Sequence, residues 1–202
     1  MASMKGFEIG INFIVIIVVA VLILTLGITW IQGVFTSVSD MTTQITARAH
    51  ENLMEDLRSG DAKMGYTVPN KVKMKRDVSG KFEVGLKNDG QEGRCYSVYP
   101  VLVQVDNEVL ARYGCSSMQS CTGIRADIMK WFVYYNIIWI NGQDVGYTLV
   151  DVKPPKNAPV GRYLFQFSAD TAPVVTSARA CDEYTGDFSD RYVSKQLEIT
   201  VE

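Results

Sequence analysis

From Ile9 to Ser39 the chain runs for 31 residues without a charged side chain, and Ile, Val and Leu dominate it as far as Ile31. A helix needs roughly 20 apolar residues to cross the hydrocarbon of a bilayer. The run therefore predicts a helix that needs an apolar surrounding. Secretory signals have a shorter apolar part and a small-residue cleavage site behind it. Here the apolar part is longer, and Gly27 to Ser39 continue as helix, so cleavage behind it is not expected. Lys5 and the amino terminus are the cations that precede Glu8, and the positive-inside rule then sets a cytoplasmic start and an exterior C-terminal domain.

Beyond that run, Ile31, Val34, Val38, Met41, Ile45, Ala49, Leu53 and Leu57 recur at spacings of three and four, which is one apolar stripe along a helix. Gly60 is the expected stop. A helix from Glu8 to Ser59 would be on the order of 75 Å long, more than twice a bilayer core. The lipid-like first half and the striped second half give one apolar surface for lateral packing on other helices; the alternative is that the second half is a juxtamembrane helix packed on its own domain. His50, in the striped half, is expected to pack or to face solvent.

The remainder of the 202 residues suffices for one globular domain of roughly 130 to 140 residues. A formal charge of −2 with interspersed signs offers no basic stripe, which argues against a nucleic-acid partner. Cys95, Cys115, Cys121 and Cys181 make an even count beside an export-type segment, which favours disulfides. Three full pairings exist. Five residues between Cys115 and Cys121 suit a small closed loop, with Cys95 to Cys181 tying distant segments. A four-thiolate zinc site fits poorly, because it usually draws on two close pairs.

From about Gly65 the period changes to short strand-like segments: Tyr66–Val68, Val72–Lys75, Lys81–Leu86, Tyr96–Tyr99, Val101–Val105, Tyr147–Val150 and Tyr163–Phe167. Lys87–Gly90 and Ala158–Gly161 punctuate them as turns. Many short strands predict a sandwich or partly closed barrel. The aromatic run Lys130–Ile140 is expected to pack inside a sheet. Asp182, Glu183, Asp187 and Asp190 hold oxygens that suit calcium, yet their spacing is not that of an EF-hand, so a solvated loop is expected. The sequence has no phosphate loop, His-Glu metal array or nucleophile elbow. No enzyme, cofactor or metal is expected.

The start, Lys5-Gly6 followed by Phe7-Glu8-Ile9-Gly10-Ile11-Asn12-Phe13-Ile14-Val15-Ile16-Ile17, resembles the class III signal of archaeal type IV pilins and archaellins. That resemblance implies cleavage by a prepilin peptidase between Gly6 and Phe7. It also implies a filament-core helix that includes Glu8, Asn12, Phe13, Ile17, Leu24, Trp30, Val34, Val38, Met41 and Ile45. Pro154–Phe167, Tyr192–Val201 and Leu86–Gly90 resemble strands and turns of immunoglobulin-like modules in archaeal surface proteins.

The fold expected from these readings is a long N-terminal α-helix followed by an all-β, immunoglobulin-like sandwich. Its parts are a leader at 1–6, a membrane and filament-core helix at 7–59, a linker at 60–65 and an extracellular β-sandwich at 66–202. The expected function is a structural subunit of a pilus-like or archaellum-like filament for adhesion or motility. Its partners are copies of itself in a helical filament, the prepilin peptidase with its assembly machinery, and the membrane before assembly. The alternative is a non-polymerising, single-pass membrane-anchored surface module.

Overall fold

The computed structural model describes residues 13–14, 16–25, 28, 47–172 and 175–202. The chain divides into two units, residues 1–47 and 48–202. In the first unit, residues 13–14, 16–25 and 28 are helical with exposed side chains. Among the described residues there, the longest run is the ten residues 16–25, about 15 Å or half a hydrocarbon core.

Among the described residues no helix is long and apolar enough to cross a membrane. This corrects the expected fold: among the described residues the structure has a ten-residue helical stretch and a half-open, curled β domain in place of a long helix and a closed immunoglobulin-like sandwich. The resemblance to archaeal type IV pilins and archaellins falls with that helix. So do the adhesive or motile filament subunit, the anchored surface module and the membrane-inserted precursor at the cell surface, each of which requires an apolar helix of membrane length. Hydropathy reports a need for burial and does not fix how far a helix runs.

The second unit opens within helix α1, described over 47–59. Four strands form a first sheet in the order β1 (Met64–Tyr66), β3 (Gly80–Lys87), β7 (Val145–Val152) and β5 (Phe132–Tyr134). Five form a second in the order β2 (Lys71–Met74), β9 (Asp190–Val201), β8 (Gly161–Thr171), β4 (Arg94–Val105) and β6 (Ile137–Ile140). Neighbours are antiparallel except β2 and β9, which run parallel. Helices α2 (Asn107–Arg112), α3 (Thr122–Met129) and α4 (Ala178–Asp182) lie between strands.

Both sheets curl over one core without joining at their edges. Period-two alternation sends Phe82, Val84 and Leu86 of β3 inward to meet Tyr163, Phe165 and Phe167 of β8. Phe132 of β5 stands edge-on to Phe165 at 4.7 Å, and Phe82 to Phe167 at 5.8 Å, so rings cross between the sheets. Burying each such side chain contributes about 1.5–3 kcal/mol. Val109, Leu110, Ile124 and Ile128 of α2 and α3 extend the core, and the Cys115–Cys121 disulfide closes the loop between these helices. The Cys95–Cys181 bridge pins α4 to β4 beside Ile137, Trp139, Tyr184 and Phe188.

Helix α1 covers part of the outer face of the first sheet. Leu53 and Leu57 sit directly on Gly65 and Gly85, where a Cβ would lie 2.5 Å from Leu53 Cδ1 and 2.6 Å from Leu57 Cδ1, respectively. Only glycine lets the helix approach this closely. At one end of the β domain, Lys63 pairs with Asp89 at 2.7 Å, and the Tyr192 hydroxyl donates to the Lys87 carbonyl and to Asp89. The Lys63 ammonium first, and then that hydroxyl, hold the Asp89 carboxyl below its usual value.

Candidate functional site

Much of what the sequence nominates for chemistry is structural. Gly6, Phe7, Glu8, Asn12, Trp30, Val34, Val38, Met41 and Ile45 lie outside the described residues, while Phe13, Ile17 and Leu24 fall in the helical first unit. The four cysteines form the two disulfides Cys95–Cys181 and Cys115–Cys121. His50 Nδ1 stands 2.6 Å from Glu83 Oε2, and its ring meets Tyr147 edge-on at 4.6 Å, so it fastens α1 to the sheet. In the acidic stretch, Glu183 pairs with Arg179, and the Asp187 and Asp190 carbonyls accept from Tyr184 and Thr171.

Among the described residues no three His, Cys, Asp or Glu side chains converge to hold a metal. A cleft of about 490 Å³ is lined by Arg76, Arg112, Glu108 and Asp127, and one of about 760 Å³ by Glu92, Arg94 and Asp190. Both mix charges of either sign.

What distinguishes this domain is a lateral edge. Trp131 to Ile140 contain no charged residue and no proline. This segment leaves the first sheet as β5 and enters the second as β6, so it forms the outermost strand of both. The Lys153 N–H donates to the Trp131 carbonyl, and β5 pairs Val133 with Asp151 of β7. In an antiparallel ladder successive residues turn their N–H and C=O groups to opposite sides. Phe132 and Tyr134 therefore aim theirs away from β7. Val98 N–H donates to the Asn136 carbonyl, so by the same alternation Ile137 and Trp139 aim theirs away from β4. Among the described residues no backbone group pairs with the outward groups of these four.

An apolar strip adjoins this edge on the outer face of the first sheet. Val133 is 73 % exposed, Tyr135 62 %, Leu149 59 % and Tyr147 46 %. The β5–β7 register places Tyr135 beside Leu149, and the Thr148 hydroxyl donates to the Tyr135 carbonyl at 2.5 Å. Along β7 the strip runs into Val145, which packs on Leu53, Met54 and Leu57 of α1. Toward solvent it ends at the β5 edge. The expected inner-sheet packing of Lys130–Ile140 holds for Trp131, Phe132 and Ile140, which are buried, and not for Val133 and Tyr135. The signal for this strip was present in the sequence: residues 131–135 are apolar or aromatic at both parities, and a strand in a two-layer domain buries only one face.

The other edges carry protection that this one lacks. Lys71 and Lys73 of β2 pair with Glu198 at 3.7 Å and Glu202 at 2.9 Å and line that edge with ammonium groups. At β1 the Lys195 ammonium donates to the Met64 carbonyl, and the Tyr66 hydroxyl to the Lys195 carbonyl.

No protein-family profile matches the sequence, and no curated protein matches it either. Among solved structures, the chain is similar to WR4, a C. elegans MSP family member, at 6 % identity over 70 % of this chain and 99 % of the other, with a TM-score of 0.37. It is similar to a PapD-like domain of human CEP192 at 10 % identity over 69 % and 84 %, with a TM-score of 0.37. The GspB Siglec domain is similar at 15 % identity over 70 % and 58 %, with a TM-score of 0.36. Likenesses this weak assign neither family nor function.

Proposed function

We propose that this chain is a non-catalytic docking domain that binds another polypeptide along the uncharged β5–β6 edge and the strip beside it. The observation that carries this reading is the exposure of four large apolar side chains, Val133, Tyr135, Tyr147 and Leu149, on adjacent strands of one face. Contiguous apolar surface bordered by polar residues is a common mark of protein contact, and Lys81 and Asp151, 4.0 Å apart, border this strip. Unpaired backbone groups along the same border give a polypeptide hydrogen bonds that a small apolar ligand cannot use.

The test replaces Tyr135 with a photo-reactive benzoylphenylalanine in the full chain, expressed in its own host. The expected result is a discrete covalent adduct with a polypeptide, whose yield falls about tenfold when Leu149→Lys is added. Absence of an adduct, or a yield indifferent to Leu149→Lys, overturns the reading.

A further inference from the structure

We infer that the polypeptide received by this edge is a second copy of the same chain, paired β5 to β5 about a twofold axis. The inference rests on the docking reading above. The outward groups of Phe132 and Tyr134 dictate one antiparallel register. Phe132 of one copy faces Tyr134 of the other, and Tyr134 faces Phe132, which closes four backbone hydrogen bonds. Val133 then meets its own counterpart on the axis. Such a pairing is isologous, with the same patch used on both sides, and it closes at two copies.

Charge selects this edge over the others for self-pairing. Trp131 to Ile140 are uncharged, and in this register Lys130 falls opposite Asn136, so no like charges meet. The carboxylate nearest the axis, Asp151, is already engaged by Lys81 and by the Ser79 hydroxyl. The same operation on β2 would bring Lys71 of one copy against Lys73 of the other, and like charges directly opposite in a sheet are destabilising. On the outer face, Val133 and Tyr135 of both copies would merge with Leu149 into one apolar band across the join.

A three-residue pairing with its strip is a small interface, so the experiment traps it covalently. Residues Cys95, Cys115, Cys121 and Cys181 are all bridged, so Val133→Cys introduces the one free thiol of the full-length chain. On the axis it occupies a non-hydrogen-bonded antiparallel pair, whose Cα atoms lie about 4.5 Å apart, within the range of a disulfide. Mild oxidation of dilute protein is expected to convert most of this variant to a linked dimer. Val160→Cys, comparably exposed at 51 % but away from the edge, is expected to stay single. Adding Tyr134→Pro removes one outward donor and no bond to β7, and is expected to cut the linked fraction about fivefold.

A Val133→Cys variant that links no faster than Val160→Cys overturns the pairing. If the photo-reactive residue at position 135 then captures a different polypeptide in a Leu149-dependent way, docking stands and the second copy is excluded as its partner. If it captures nothing, docking falls as well.

Discussion

The β2 edge and the β5 edge are both short free margins of curled sheets, yet they manage exposed backbone in opposite ways. At β2, alternate lysines stand outward and are held by Glu198 of β9 and by Glu202 just beyond it. At β5, alternate residues are Val133 and Tyr135, and nothing charged lies within the segment. A strand flanked by ammonium groups repels another of its kind, whereas an uncharged one invites it. The difference separates a margin that terminates a sheet from one that can extend it.

The largest effect on this comparison should come from removing the anchor of β5. Phe132→Ala deletes the ring that meets Phe165 and Phe167, and should cost about 3–4 kcal/mol in a denaturant titration while releasing the edge from β7. His50→Ala leaves the largely buried Glu83 carboxylate without its partner. It should cost about 1–3 kcal/mol and raise hydrogen exchange in 48–59 before the rest of the domain, uncovering more of the face that the strip shares. Converting β2 to the β5 pattern with Lys71→Val and Lys73→Thr should create a second adhesive margin, seen as light scattering that grows with concentration. The reverse change, Val133→Lys, should abolish docking while shifting stability by no more than about 0.5 kcal/mol.

Acid offers the mildest separation of the two edges. The Lys73 ammonium, by hydrogen bond first and charge second, holds the Glu202 carboxyl below its usual value. Its folded value lies below the unfolded one, so that link is complete above about pH 4.5 and is lost as pH falls through the lower folded value. The β5 edge contains no carboxylate, imidazole or amine. Cross-linking through Val133→Cys, induced by an oxidant that works across this range, should therefore be level from neutrality to about pH 4, while hydrogen exchange at β2 rises below that point.

Sequence periodicity located the long strands because their inward residues alternate, as Phe82, Val84 and Leu86 do in β3 and Tyr163, Phe165 and Phe167 do in β8. It did not locate the candidate site. Val133 and Tyr135 look like core residues by composition, since residues 131–135 are apolar or aromatic at both parities, and pairing with β7 turns their parity outward. An apolar run specifies what solvent a segment avoids and leaves open how far one helix continues. The approach of α1 was equally hidden, since Gly65 and Gly85 act together only after pairing makes them neighbours across β1 and β3.

The Cys95–Cys181 bridge has a mechanical consequence. It joins residues 86 apart in sequence, and a fully drawn-out chain of that length would span on the order of 290 Å. A domain pulled from its two ends can surrender β1 to β3 on one side and β9 on the other, but the loop between the bridged residues cannot pay out as thread until the sulfurs are reduced. The β5 edge lies inside that loop. Under load, the docking surface belongs to the part of the chain that stays short.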